Sequence, residues 1–198
     1  MIHITGKIPR QVAIAVSGGI DSMGALDFLR RAHDVVVLHY NHVTPYAPKA
    51  EVLVRDYCEK HDLALIVGEC EEEMPAGVSA EAWWRDQRYK FFTEATDLPI
   101  ITAHHLDDQV ENYLFTALNG KPFLIPHKRD QFIRPFITTE KTDFTLWCVR
   151  KGVPTIDDPS NEDTKYRRNY IRHTLMPHVL NINPGIKKVI RKKVLDSL

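Results

Sequence analysis

The sequence predicts an α/β protein in which helices cover both faces of a parallel sheet. Short apolar segments alternate with segments whose apolar residues recur every three or four positions, as buried strands and amphipathic helices do. Parallel neighbours need a crossover connection, and a helix usually forms it, so the alternation favours a parallel sheet. The 198 residues, 43% of them hydrophobic, suffice for one ordinary globular core.

Four strand–helix pairs account for residues 12–118. We expect strands at residues 12–16, 35–40, 63–70 and 98–105, and helices at residues 22–32, 48–61, 79–96 and 106–118. Ser79 followed by Glu81 is typical of a capped helix start. From Asn119 onward proline, glycine and basic residues become frequent, which predicts a loop or short hairpin over residues 119–132.

The remaining chain is predicted to be mostly helical. We expect a short strand, a Thr cap and a helix ending at Gly152, then a turn at residues 157–161 and a loop that becomes helical around Tyr166. The sequence contains no internal repeat and no evident second domain.

The net charge of zero conceals an asymmetry along the chain. Residues 1–120 carry 10 basic and 18 acidic residues, a net charge of −8, whereas residues 121–198 carry 16 and 8, a net charge of +8. A basic half favours contact with a polyanion, although a solvated basic helix explains it equally well. Three cysteines without a C-x-x-C pair, and no signal-peptide pattern at the start, favour a reduced cytoplasmic protein.

The turn after the first strand, SGGIDS at residues 17–22, has the composition of a phosphate-binding loop. Gly18 and Gly19 let phosphate oxygens approach the backbone at a helix N-terminus, where N–H groups and the helix dipole favour anions. Asp21 would repel phosphate unless a cation lay between them, which indicates Mg²⁺. The string is neither G-K-[ST] nor G-x-G-x-x-G. A tight Gly-Gly turn capped by serine is the alternative.

Two later segments concentrate charged side chains. In TAHHLDDQVEN, His104, Asp108 and Glu111 have spacings of four and three, close to one helical face. Such a group could bind metal, activate a nucleophile or orient a substrate, but a capped helix with an acidic first turn is an equal alternative. Arg168 and Arg172 lie four apart and suit a phosphate or carboxylate clamp, unless they belong to a solvated helix.

The order of the motifs resembles the catalytic domain of tRNA(Ile)-lysidine synthases, which belong to the N-type ATP pyrophosphatase (PP-loop) superfamily. The resemblance covers residues 11–184 through S-G-G-x-D-S, E-A-x-x-R-x-x-R-Y, T-A-H-H-x-D-D-Q-x-E, I-R-P and D-D-P-S-N-x-D-x-x-Y-x-R-N-x-I-R. It implies a Rossmann-like sheet of the adenine nucleotide alpha hydrolase-like type. A PP-loop ATP-binding domain at residues 1–145 would then carry a helical extension of the same domain at 146–198, without the family's usual C-terminal tRNA-binding domains.

The resemblance also implies a reaction, its ligands and its residues. ATP would adenylate the wobble cytidine of an isoleucine tRNA with a CAU anticodon, and free L-lysine would then displace AMP to form lysidine. Asp108 would orient or deprotonate the lysine amine, Glu111 would help to bind it, and Asp21 would hold Mg²⁺. The implied catalytic residues are Asp21, Arg85, His104, Asp108 and Glu111. The implied ATP-binding residues are Ser17, Gly18, Gly19, Ile20, Asp21, Ser22, His39, Asn41, Arg168 and Arg172.

Two segments depart from the family pattern. Residues 43–49 replace a Gly-Leu-Arg stretch, residues 119–130 replace an R-G-[ST]-G loop, and Asn112 stands where threonine is usual. These departures leave open a different RNA base or small acceptor, or a nucleotide- or RNA-binding module without catalysis. We expect tRNA to contact the basic residues 121–134 and the C-terminal arginines and lysines.

Overall fold

The first two-thirds of the chain build a sheet whose strands are joined mostly by helices. A computed structural model describes residues 1–42, 46–70, 74–75, 77–157 and 159–198. The strands are β1 Gln11–Ala15, β2 Asp34–Asn41, β3 Ala64–Glu69, β4 Ile100–Ile101, β5 Lys128–Arg129 and β6 Phe132–Ile133. The helices are α1 Ile20–Leu29, α2 Ala47–Lys60, α3 Ala80–Ala95, α4 Leu106–Leu118, α5 Lys141–Lys151, α6 Arg167–Tyr170, α7 Met176–Ile182 and α8 Ile186–Asp196.

The strands of the described residues form one sheet in the order β3-β2-β1-β4-β6-β5. All neighbouring pairs are parallel except β5 and β6, which form a short antiparallel hairpin. The predicted α/β class is therefore confirmed, and the segment predicted as a loop or short hairpin over residues 119–132 ends in this hairpin. The direction of strand order reverses at β1, between β2 and β4, which is where ligands bind in open parallel sheets.

Helices cover both faces of this sheet, as predicted. Ile14 and Val37 face one side, where they pack with Met23 of α1 and Phe144 of α5. On the other side, the neighbouring residues of the strands pack with Phe92 of α3. The alternation along β1 and β2 therefore buries both sets of side chains, as expected for a parallel sheet.

The third part of the core joins α4 to the end of the chain. Ile190 and Val194 of α8 are buried with Leu106 and Val110 of α4. Lys187 Nζ lies 2.6 Å from Asp107 Oδ1, which ties the two helices together by charge. No helix in the described ranges is long and apolar enough to span a bilayer.

Three predicted boundaries differ from the structure. The strand expected over residues 98–105 is only two residues long, because the chain turns toward α4 after Ile101. The predicted Thr cap of α5 is wrong: Glu140 occupies the N-cap position, and Thr139 Oγ1 instead donates to the His3 carbonyl oxygen at 2.7 Å. The first helix begins at Ile20 rather than Ser22, because Gly19 is its extended N-cap.

Other predicted features of the C-terminal half are confirmed. Helix α5 ends at Gly152, whose φ of 61° is left-handed, a conformation that glycine adopts without strain. Tyr166 is the N-cap of α6. A π-turn, Ile171–Leu175, joins α6 to α7. The turn predicted at residues 157–161 includes residue 158, outside the described ranges, and continues as the 3-10 turn Pro159–Glu162.

Candidate active site

The glycine turn between β1 and α1 forms one wall of the candidate site. Ser22 Oγ accepts the Ser17 N–H at 3.1 Å and donates to the Gly19 carbonyl oxygen at 3.0 Å, so the serine side chain fixes the turn. The turn follows β1 at the carboxyl edge of the sheet and opens α1. Its backbone N–H groups and the helix dipole can therefore act on an anion. Ile20 is the first helical residue.

Gly18 is required by both conformation and space. Its φ is 86°, and a Cβ at this position would lie 3.1 Å from Ile156 Cγ2 and 3.4 Å from Ala50 Cβ. The Gly18 carbonyl oxygen also accepts the Ile156 N–H at 3.0 Å. The segment after α5 thus packs directly on the glycine turn.

The two carboxylate oxygens of Asp21, in the first turn of α1, differ in their contacts. His105 Nε2 lies 3.4 Å from Asp21 Oδ2. Asp21 Oδ1 is buried and has no hydrogen-bond partner among the described residues. A buried carboxylate oxygen without a partner is costly unless a ligand satisfies it.

His105 links Asp21 to helix α4. It is the N-cap of α4: its Nδ1 accepts the Asp108 N–H at 3.3 Å, and Asp108 Oδ2 accepts the His105 N–H at 3.0 Å. In the neutral ring this cap places the proton on Nε2, facing Asp21. Burial alone would lower the pKa of His105, but the carboxylates of Asp108 and Asp21 raise it.

His104 lies before helix α4, so the prediction that it shares a helical face with Asp108 and Glu111 is wrong. The helix begins only at Leu106, because His105 takes the cap. His104 Nδ1 is 2.8 Å from Thr102 Oγ1. Burial, followed by positive charge from Arg134 and Arg168, lowers the pKa of His104 to about 4 although Asp108 opposes this. The ring is therefore neutral at physiological pH.

Two arginines from the C-terminal helical region cover the acidic pair of α4. Arg168 Nη2 donates to Asp108 Oδ1 at 2.6 Å, and Arg168 Nε donates to Glu111 Oε2 at 3.2 Å. Arg172 binds Glu111 through Nε at 2.7 Å and Nη2 at 3.0 Å, a two-pronged geometry that suits a guanidinium. Burial would raise the pKa of Asp108, but charge from His105 and Arg168 holds it well below its usual range.

The two arginines of α3, Arg85 and Arg88, differ in exposure. Arg85 has a side chain that is 66% exposed and lies 3.7 Å from Asp86, so no described contact brings it to the cluster on α4. Arg88 is the half-buried member of the pair, and burial followed by the positive charges of Arg85 and Arg168 lowers its pKa. The positive charge of Arg88 also helps to lower the pKa of His104, and that of Arg168 helps to lower the pKa of Arg88.

His39 and Asn41 lie at the carboxyl end of β2. His39 Nδ1 is 2.8 Å from the Val16 carbonyl oxygen, and its buried Nε2 has no partner among the described residues. Burial lowers the pKa of His39. Asn41 instead donates to Glu51 Oε2 at 3.0 Å, which anchors β2 to α2. The departure from the family pattern at residues 43–49 lies partly outside the described residues.

The donor set at Asp21 fits a magnesium ion that a bound phosphate would complete. Among the described residues no group of three His, Cys, Asp or Glu side chains is arranged to hold a metal by itself. Mg²⁺ commonly takes one or two carboxylates and completes its shell with phosphate oxygens and water. Asp21 Oδ1 offers one such ligand beside the glycine turn.

Several basic residues expected to meet RNA are already engaged within the protein. Arg134 is buried, and its Nη1 donates to the Pro126 carbonyl oxygen at 3.0 Å, so it is removed from the candidate RNA surface. Lys187 and Arg191 of α8 pair with acidic groups at Asp107 and Glu140. The pair between Lys187 and Asp107 joins the basic half of the sequence to the acidic half, so part of the charge asymmetry is neutralised within the protein. Lys121, Lys128 and Arg129 remain exposed.

Comparison with known proteins assigns the chain to a family. A family sequence model described as the PP-loop domain matches residues 3–179. The chain belongs to the PP-loop domain family. The tRNA(Ile)-lysidine synthase of Francisella philomiragia is 31% identical to it, across 96% of this chain and 51% of that protein. The tRNA(Ile)-lysidine synthase of Lactiplantibacillus plantarum is 32% identical, across 91% of this chain and 44% of that protein.

This PP-loop chain spans about half the length of the curated relatives it matches. A solved structure of an NH3-dependent NAD synthetase from Campylobacter jejuni superposes with a TM-score of 0.53 at 14% identity, covering 96% of this chain and 86% of that one. At that identity the likeness concerns the fold alone, and it agrees with the predicted Rossmann-like sheet.

Sequence patterns did not identify His105 as a site residue. A usable signal was present, because His105 and Asp108 have the spacing of a capping box at the end of a strand. The resemblance implies Arg85 and not Arg88, and a helical spacing of three does not say which of two arginines is the more buried.

Proposed function

We propose that this PP-loop chain is an ATP-dependent ligase that modifies tRNA, joining L-lysine to the wobble cytidine of an isoleucine tRNA with a CAU anticodon. The observation that carries the proposal is the environment of the Asp21 carboxylate. One oxygen of this carboxylate faces His105, and the other is buried and has no partner among the described residues, beside a glycine turn that suits phosphate. Similarity to lysidine synthases over most of the chain supports the choice of substrate.

The glycine turn would hold the triphosphate of ATP. Backbone N–H groups at Gly18 and Gly19 and the hydroxyls of Ser17 and Ser22 would face the departing pyrophosphate. Mg²⁺ bound at Asp21 would neutralise charge on the phosphates as they separate. His39 Nε2, buried and unpartnered among the described residues, is a further donor or acceptor at the same edge of the sheet.

The reaction would have two balanced steps. The cytidine O2 attacks the α-phosphorus of ATP, and the bond from that phosphorus to the bridging oxygen of pyrophosphate breaks. The uncharged ε-amine of lysine then attacks C2, the C2–O bond breaks, and AMP leaves with its oxygen. The lysine ammonium loses one proton before the attack and the attacking nitrogen loses one after it, and both protons would pass to water or to phosphate oxygens of the leaving groups. Holding both reactants in line supplies much of the rate enhancement in such reactions.

The charged cluster on α4 suits orientation better than proton abstraction. His105 is the largest of the charges that hold the pKa of Asp108 low, and a lysine ammonium in place of Arg168 would act in the same direction, so Asp108 is a weak base. We therefore assign Asp108 and Glu111 to binding the lysine ammonium and positioning its amine. Arg168 and Arg172 would move from these carboxylates toward phosphate when ATP binds, since a guanidinium suits both partners. His104, neutral at physiological pH, would contact the cytidine.

The test is lysine incorporation. The protein is incubated with ATP, Mg²⁺, labelled lysine and unmodified isoleucine tRNA with a CAU anticodon, and label in the RNA is counted. We expect incorporation by the wild type and a loss of at least about a hundredfold in Asp21→Ala. Asp34→Asn is the matched control, because Asp34 is an exposed aspartate paired with Arg10 far from the turn.

Two outcomes would change the proposal. ATP turnover to AMP without label in the tRNA would preserve adenylation and discard lysine or this tRNA as substrate. Incorporation by Asp21→Ala equal to that of the wild type would remove Asp21, and with it the proposed ATP site, from the reaction.

A further inference from the structure

The segment that replaces the family's R-G-[ST]-G loop is held against α4 by side chains of that helix. Gln109, completely buried, donates to the Ile125 carbonyl oxygen at 2.7 Å and accepts the Ile125 N–H at 2.9 Å. Asn112 donates to the Phe123 carbonyl oxygen at 2.9 Å, and Thr116 Oγ1 accepts the Phe123 N–H at 3.0 Å. Both backbone groups of Phe123 are thus fixed.

The ring of Phe123 is nevertheless exposed. Its relative accessibility is 53%, although the backbone that carries it is pinned. A single exposed apolar side chain is ordinary on a protein surface. Here, however, the ring is presented on a restrained backbone, so this segment would lose little conformational entropy when a partner covers the ring.

The surroundings of Phe123 are basic and aromatic. Phe123 lines a groove of about 830 Å³ together with Tyr113, Lys128 and Lys193. Lys193 Nζ lies 5.8 Å from the centre of the Tyr113 ring. The two lysines share the lining of this groove with one acidic side chain, Asp196.

We propose that Phe123 is a stacking platform for an unpaired RNA base, with Lys128 and Lys193 contacting the adjoining phosphates. An aromatic ring beside lysines is the surface that single-stranded RNA recognises, because any base can stack and the backbone is anionic. The inference rests on the proposed function and deepens it: the groove would hold an unpaired loop nucleotide of the tRNA while the reacting cytidine lies at the ATP site.

The test compares two RNA probes. Fluorescence anisotropy measures binding of a labelled anticodon stem-loop with a CAU anticodon, and of a blunt RNA duplex without unpaired bases. We expect Phe123→Ala to weaken stem-loop binding roughly tenfold and duplex binding little. Phe123→Trp should bind as well as the wild type, whereas Phe123→Leu should stay weak, because leucine restores volume but not stacking.

The salt dependence of RNA binding distinguishes a stacking contribution from an electrostatic one. The loss caused by Phe123→Ala should keep its size between low and high salt, while the loss caused by Lys128→Ala should shrink as salt rises. Val149→Ala on α5 is the control for removing an exposed apolar side chain, and Lys60→Ala on α2 is the control for removing an exposed lysine.

The outcomes separate this inference from the proposed function. Stem-loop binding by Phe123→Ala equal to the wild type, with lysine incorporation intact, overturns the stacking platform alone. A wild type that binds neither RNA overturns both the platform and the tRNA substrate. A wild-type dimer in sedimentation velocity that Phe123→Ala dissociates would assign the groove to a second copy and also overturn the inference.

Discussion

His105 Nε2 lies 3.4 Å from Asp21 Oδ2, while Nδ1 of the same ring accepts the Asp108 N–H. One buried side chain therefore caps α4 and orients the carboxylate that we propose as the magnesium ligand. Substitution can separate the two roles of His105. Capping needs only an acceptor on a short side chain, whereas the contact with Asp21 needs Nε2 of the ring.

We predict that His105→Asn keeps the fold and needs more Mg²⁺ for ATP turnover. Asparagine is a good N-cap but is too short to reach Asp21. The free energy of unfolding should change little, and the Mg²⁺ concentration for half-maximal ATP turnover should rise. His105→Ala should lose the cap as well, at about 1 kcal/mol of further destabilisation. An unchanged Mg²⁺ requirement in His105→Asn would refute the positioning role.

His104 should remain neutral far below its ordinary range. Its pKa of about 4, against 6.5 in an unfolded chain, means that the unfolded state binds the proton more readily between these values. The free energy of unfolding should therefore fall as pH drops from about 6.5 to about 4, and His104→Asn should lessen that fall. NMR titration of assigned imidazoles checks it directly, and a His104 midpoint near 6.5 would contradict it.

Asp27 should make a large contribution to stability away from the candidate site. Tyr57, Trp147, Arg30 and Arg31 all donate to its carboxylate, and these bonds lower its pKa from 3.8 to about 2 despite burial. Asp27→Asn should cost about 2–3 kcal/mol at neutral pH, because an amide cannot accept from every donor.

The difference in stability between the wild type and Asp27→Asn should depend on pH, because folding lowers the pKa of Asp27. The contribution of Asp27 is complete above pH 3.8 and is lost as pH falls through about 2. Urea unfolding at pH 7 and pH 3 should therefore show the gap between wild type and Asp27→Asn narrowing at the lower pH. Asp34→Asn, at an exposed ion pair, should cost less than about 1 kcal/mol.

Gly18→Ala should impair both stability and ATP use. Alanine at a φ of 86° is strained by about 1–2 kcal/mol, and its Cβ would press on Ile156. Gly152→Ala is the matched control, since Gly152 also has a left-handed φ but a Cβ there meets nothing within 4 Å. Equal loss of stability with no loss of ATP turnover in either variant would argue against a tight fit at the glycine turn.

Features of the fold that depend on neighbouring residues could be predicted from the sequence. The bounds of α4, the left-handed end of α5 at Gly152 and the start of α6 after Tyr166 follow from capping and periodicity, which are local. The strand predicted over residues 98–105 is too long, because it includes His104 and His105. They follow the sheet and turn toward the candidate site.

The site itself could be predicted only in part, because its contacts join distant parts of the chain. The resemblance implies Asp108, Glu111, Arg168 and Arg172 as site residues, but only the fold pairs the arginines with the carboxylates. Similarly, no spacing in the sequence distinguishes the exposed Arg85 from the half-buried Arg88. Burial and ion pairing depend on how the helices pack, and the periodicity of the sequence does not determine that packing.

The pairing of Arg168 with Asp108 has a consequence for the order in which the protein is made. The two residues are 60 positions apart, and the acidic one leaves the ribosome first. A nascent chain that has completed β4 and α4 therefore carries Asp108 and Glu111 without their guanidinium partners. Neither carboxylate can gain these partners until the segment that carries Arg168 and Arg172 has been synthesised. The pocket can therefore be completed only after most of the C-terminal third has been translated.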